Sequence, residues 1–220
     1  MITYLLINLL VILFPLIFSF EKSIYHIKNI SIVIKTISYA GIPFLIWDEI
    51  FTRLNIWNFN SSKIIGIKFL SLPLEEILFF ICIPYSIIFI YEITNHYYKY
   101  LYIKISWNYL LYSGLLLSFV SLFVYEKTYS AIVILLTGVF IFFVSFNKHI
   151  LFQKMSFWIT IIISFLGFLI INYFLTSIPV VIYNESKIIG LRIITIPIED
   201  FLYNFLLSGL NLYFYISIKE

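Results

Sequence analysis

Two pairs of acids stand in parts of the chain that are otherwise almost wholly apolar. Glu75 and Glu76 lie in "SLPLEEILFF" (71–80), and Glu199 and Asp200 lie in "TIPIEDFLYNF" (195–205). The chemistry open to such groups is proton transfer. A carboxyl taken into hydrocarbon costs several kcal/mol unless it is paired, hydrated or protonated. Adjacent acids raise one another's affinity for a proton and desolvation adds to it, while the dipole of a helix starting there opposes both. A carboxyl under these competing influences can hold a proton near neutral pH and act as a general acid. A simpler reading is available: "P-x-E-E" is a good helix start, because proline suits the first helical position and acids in the first turn add about 0.3–1 kcal/mol each. Two copies in step favour chemistry over capping. Successive helical residues point about 100° apart. One acid of each pair is therefore expected to face the interior, and the other to tune or anchor it.

The elements that hold these acids follow from composition. The chain has 220 residues, 62% hydrophobic and 11% charged, against about 25% charged in a soluble domain. Lipid must therefore solvate part of it. Apolar runs at 2–20, 30–47, 74–92, 105–125, 130–146, 156–176 and 197–218 predict an all-α membrane protein of seven transmembrane helices. The first run has no basic residue before it and no small-residue cleavage site after it, so it is expected to be a span and not a removed leader. The cell (inner) membrane is the expected location of this multi-pass chain. The single cysteine, Cys82, excludes a disulfide framework. The net charge of +3 is scattered, with no basic stripe for nucleic acid.

"NSSKIIGIKFLSLPLEEIL" (60–78) and "NESKIIGLRIITIPIEDFL" (184–202) align without a gap, 124 residues apart. The match runs through polar loop residues and extends to the flanking spans. It predicts a 3+1+3 parallel tandem repeat: three spans in 1–104, a linking helix at 105–125, and three spans in 126–220. Parallel repeats place both acid pairs at one membrane face. Lys and Arg divide six to eight between that face and the other, a slight vote for acids on the outer side.

Other residues are weaker candidates. "WDE" at 47–49 adds Asp48 and Glu49 at the same face; its repeat counterpart begins Ile171-Asn172, and such a group is more often an interfacial belt with solvated acids. His26, His96 and His149 fall at the opposite face. The seven glycines form no dinucleotide fingerprint, and there is no aspartate-rich diphosphate cluster. Aromatic residues make up 21% of the chain. Phe79, Phe80, Phe201, Tyr203 and Phe205 follow the acids most closely and, with Trp47 and Asp48, are the candidate substrate-binding residues; ring faces stabilise a passing cation.

The motifs "LPLEEILFF" and "IPIEDFLYNFLL", with "WDEI…NIWNF" after span two, resemble the lycopene cyclase domain family, the membrane-integral heterodimeric or fused type. The resemblance covers essentially the whole chain. It implies acid-catalysed, non-redox cyclisation of the acyclic ends of lycopene, to β-rings giving β-carotene, by an intramolecular lyase or isomerase. It carries Glu75, Glu76, Glu199 and Asp200 over as the motif acids. It also implies a lipid-dissolved carotenoid as substrate, membrane lipid as surroundings, other carotenoid-pathway enzymes as neighbours, and no cofactor or metal. The residues leave β- and ε-rings open, since these differ only in which proton leaves one cation. The alternative from a different class is a small-substrate transporter of the same 3+1+3 plan.

Overall fold

A computed structural model describes residues 2–20 and 29–219. Seven α-helices occupy the described residues: α1 (Thr3–Phe18), α2 (Ile30–Arg53), α3 (Leu74–Tyr98), α4 (Trp107–Val120), α5 (Thr128–Phe146), α6 (Met155–Ser177) and α7 (Glu199–Lys219). Six of these are long and apolar enough to cross a membrane, α4 being counted with the 3₁₀ turn that continues it to Val124. The first, α1, has 16 residues, about 24 Å of helix, which is short against a hydrocarbon core of about 30 Å. Helices are the expected solution here, because each satisfies its own backbone N–H and C=O groups without water.

The centre of the bundle is the pair α3 and α7. Helix α3 packs against α1, α2, α6 and α7, and α7 packs against α2, α3, α5 and α6. Elements from the two ends of the chain thus interlock: α2 lies along α7, and α6 lies along α3. Hydroxyl contacts reinforce these seams. Thr94 of α3 meets Thr160 of α6 at 2.8 Å, and Ser86 of α3 donates to the Val11 carbonyl of α1 at 3.2 Å. Helix α4 packs chiefly on α5. Their backbones touch at Gly114 and Gly138, where an added Cβ would lie 2.6 Å from Phe142 N and 2.5 Å from Ser118 Oγ respectively. Small residues permit such close approach in lipid-facing helix pairs.

The structure departs from an all-α description in the loops at the acid-bearing end. Strands β1 (Trp57–Phe59) and β4 (Val181–Tyr183) pair antiparallel, with Trp57 opposite Tyr183 and Phe59 opposite Val181. Two hairpins precede the acid pairs: β2 (Lys68–Phe69) with β3 (Leu72–Pro73), and β5 (Arg192–Ile193) with β6 (Ile196–Pro197). Strands of two or three residues are too short to show the alternation that marks a strand in sequence. The second departure is the length of α2, which runs six residues beyond the apolar stretch at 30–47 and carries Trp47, Asp48 and Glu49 on a helix. The third concerns proline: Pro73 is the residue before the first helical one, with extended backbone, and Pro197 closes β6.

The α4–α5 contact yields a stability prediction. Gly114→Val drives a branched side chain into the α5 backbone and costs about 1–3 kcal/mol. Thermal unfolding of the detergent-solubilised protein should begin several degrees lower; an unchanged transition would mean that the close approach is absent.

Candidate active site

The starts of α3 and α7 set the four acids. Each helix follows its hairpin through the same turn. Leu74 N donates to Ile67 O at 2.9 Å, and Ile198 N donates to Leu191 O at 3.0 Å. Gly66 and Gly190 carry φ of +96° and +90°, a backbone that glycine alone adopts without cost. Asn60 and Asn184 each accept the amide of the second residue on, Ser62 and Ser186, at 3.0 Å. These correspondences lie 124 residues apart.

All four acids are buried: Glu75 at 0% exposure, Glu76 at 7%, Glu199 at 1% and Asp200 at 3%. They divide by direction. Glu75 accepts the Ile65 amide at 2.6 Å, and Glu199 accepts the Ile189 amide at 2.7 Å and the Ser130 hydroxyl. Each thereby ties a helix start to its own preceding loop. Glu76 and Asp200 instead line one cavity of about 140 Å³. Tyr4 of α1 donates to Glu76 Oε2. Asp200 accepts from Tyr129 of α5 at 2.6 Å, Asn172 of α6 at 2.7 Å and Tyr183 of β4 at 2.8 Å. Burial and the neighbouring Asp200 push the Tyr183 phenol well above its ordinary range, so it stays a donor.

Asp48 is 3% exposed and lines the same cavity, which corrects the solvated-belt reading of this residue. Its carboxyl lies in hydrogen-bonding contact with that of Glu76 and beside Trp57. Its Oδ2 has no donor among the described residues. Glu49 points elsewhere, pairing with Arg53 at 2.5 Å and accepting the Ser71 amide at 3.1 Å.

Of the aromatic candidates, Phe79 and Tyr203 stand in the cavity wall. Trp47, Phe80, Phe201 and Phe205 do not. Trp47 stacks behind Tyr203 on Phe44, Phe80 is buried beside Phe44, and Phe205 packs on Phe157 and Phe140. Phe201 lies with Glu199 in a separate shallow recess. His96 closes α3 and His149 precedes the 3₁₀ turn before α6, both far along the chain from the acid-bearing helix starts; His26 is outside the described residues. The residues that sequence reasoning missed are Tyr4, Trp57, Tyr129, Asn172 and Tyr183. Asn172 had a signal, as the counterpart of Asp48 in the repeat. Trp57 lay within the quoted "NIWNF"; Tyr4, Tyr129 and Tyr183 look like ordinary interfacial aromatics, and only the fold turns them inward.

The rest of the cavity is mostly apolar, with Ser86, Ser164 and Asn204 also in its wall. It continues past Ile83 and Ile87 to Ile90 on α3, flanked by Val11 of α1 and by Ile163, Gly167 and Phe168 of α6. From Glu76 to Ile90 is 14 residues, about 21 Å along the helix. The α6 wall is uncrowded at Gly167, where an added Cβ would meet nothing within 4 Å.

Fold and site together define a membrane-type helical bundle with a carboxyl-headed, hydrocarbon-lined cleft. The family model described as lycopene cyclase matches residues 1–94 and 126–218. The chain belongs to the lycopene cyclase family, and its role is that of an enzyme in carotenoid cyclisation. No curated protein and no solved structure matches it.

The two inner-loop contacts give a test of the anchoring acids. Glu75→Ala removes the carboxyl acceptor of the Ile65 amide, at a cost of about 1–3 kcal/mol for a buried donor left unpaired. Hydrogen exchange at Ile65 should accelerate about tenfold, and at Ile189 in Glu199→Ala by less, because that amide keeps the Ser130 hydroxyl as a second acceptor at 3.0 Å. Unchanged protection would show that these carboxyls do not hold the loops.

Proposed function

We propose that the protein is an acid-catalysed, non-redox lycopene cyclase of β-ring type, acting on lycopene dissolved in the membrane and giving β-carotene. The observation that carries this reading is the placement of Glu76 and Asp200 at the head of one apolar cleft about 20 Å long. A polyene lying lengthwise along α3 would bring its acyclic end to the carboxyls. It would enter from lipid past Gly167 of α6, where the wall is uncrowded.

The reaction adds a proton to the terminal double bond of that end, leaving a tertiary cation. The neighbouring trisubstituted double bond attacks the cation, forming the ring bond and moving the charge to the adjacent ring carbon. Loss of the proton on the carbon that has just bonded sets the β-ring double bond. One proton enters and one leaves, so composition and oxidation level are conserved. Carboxyls can serve both transfers. Ring faces of Phe79 and Tyr203 would stabilise the travelling charge, and the apolar walls would keep water from quenching it. Glu75 and Glu199 serve the site by holding the hairpins from which α3 and α7 start.

The matched loop contacts support reading the chain as a tandem repeat, with 1–104 and 126–220 as the units and 105–125 between them. In that scheme α1 is a seventh, short span. The transporter alternative gains nothing from the family match, and the wall of the cleft is mostly hydrocarbon.

Expression in cells that accumulate lycopene, with pigments separated by chromatography, tests the reading. Cyclic carotenoid with β-ends is expected. Glu76→Gln and Asp200→Asn should lower conversion by about 10²–10⁴-fold while the protein stays in the membrane. Unchanged lycopene in well-expressed membranes, or full activity in both variants, would overturn it.

A further inference from the structure

We propose that the two carboxyl centres have fixed and different duties: Glu76, paired with Asp48, delivers the proton, and Asp200 takes the one that leaves. This rests on the cyclase reading above. The inference comes from an asymmetry between positions 124 residues apart. Asp48 of α2 faces Glu76, whereas the corresponding residue of α6, Asn172, donates its amide to Asp200 at 2.7 Å.

Hydrogen-bond inventory then separates the two centres. An ionised carboxylate accepts and cannot donate, with about four lone-pair directions. Asp200 receives three donors, from Tyr129, Asn172 and Tyr183. That set suits an anion, and an anion beside the cleft is placed both to stabilise the ring cation and to remove a proton from it. The other centre is the reverse. Two carboxyls in contact offer each other only acceptors unless one carries a proton. Tyr4 supplies one donor to Glu76 and the Trp57 indole one to Asp48, while Asp48 Oδ2 has none among the described residues. A proton held between Asp48 and Glu76 fills that vacancy and is the proton available for transfer. Glu76 is the donor to substrate, and Asp48 is the positioning residue that keeps it loaded.

The step balances. The Glu76 O–H bond breaks as a C–H bond forms at the terminal alkene carbon. The ring bond forms, and a ring C–H bond breaks as Asp200 gains the proton. Return of that proton to the Asp48–Glu76 pair before the next turnover leaves no net change. Tyr203 faces Asp48, Glu76 and Asp200 together, so the two centres share one short stretch of wall.

A matched pair of substrates tests the division: lycopene, and lycopene whose terminal double bonds are replaced by epoxides. An epoxide oxygen accepts a proton from far weaker acids than an alkene does, so its ring closure depends little on the donor and fully on the base. Purified protein in lipid, with variants whose unfolding temperature stays within a few degrees of the parent, is assayed on both. Glu76→Gln and Asp48→Asn should lose about 10²–10⁴-fold on lycopene and no more than about tenfold on the epoxide. Asp200→Asn should lose both activities alike. Asn172→Asp, which sets a second acid against Asp200, should also depress both together, and it keeps the test alive if Asp200→Asn fails to fold. Epoxide rescue in Asp200→Asn, or equal losses on the two substrates in all four variants, would overturn the division. A parent protein that leaves both substrates acyclic would end the cyclase reading itself, and this division with it.

Discussion

Carboxyl groups inside an apolar bundle must have their oxygens answered, and that requirement organises the acid-bearing end of the molecule. Leaving a buried charge without partners costs more than most single contacts can restore. The answers come from many parts of the chain. Tyr4 from α1 serves Glu76, Tyr129 from α5, Asn172 from α6 and Tyr183 from β4 serve Asp200, and the Ile65 and Ile189 amides serve one oxygen each of Glu75 and Glu199. Since each partner sits on a different element, the site cannot form until the bundle has assembled.

The interlocking of the helices makes this possible. Because α2 lies along α7 and α6 lies along α3, the two acid centres, each served by its own half of the chain, come together in one cavity. The β1–β4 ladder then joins the loops that follow α2 and α6. It carries four of the cavity residues, Trp57, Phe59, Val181 and Tyr183, and its Trp57 stands beside Asp48. A pair of strands only three residues long is marginal by itself, but here the helices beneath it hold both strands in place.

Much of this was legible in the residues. Hydropathy located every helix, because an apolar run in lipid has few alternatives to a helix, though α2 and α3 each run six residues past the apolar stretch that marked them. The paired loops marked the acids, and helical geometry required one acid of each pair to turn away from the other. What sequence could not supply was phase. Whether Glu75 or Glu76 faces the cleft depends on how a two-residue hairpin delivers the chain into α3. The extension of α2 through Asp48 was hidden because "WDE" ends an apolar run and looks like an interfacial belt. Phe80, Phe201 and Phe205 were close to the acids in sequence, yet on α3 and α7 they fall on faces that meet other helices, and Trp47 of α2 packs behind Tyr203. Tyr4 and Tyr129 lie at helix starts, where tyrosine is common at a membrane interface, so nothing local distinguishes them as carboxyl partners.

The central claim is that a carboxyl pair holds a proton at the head of a hydrocarbon-lined cleft. Infrared spectroscopy of the lipid-reconstituted protein at neutral pH reads this directly, through the C=O stretch of a protonated carboxyl in an apolar setting and its shift in heavy water. The account predicts one such band in the parent protein, lost in Glu76→Gln and kept in Asp200→Asn. No protonated-carboxyl band in the parent, or a band that survives Glu76→Gln and vanishes with Asp200→Asn, would contradict it.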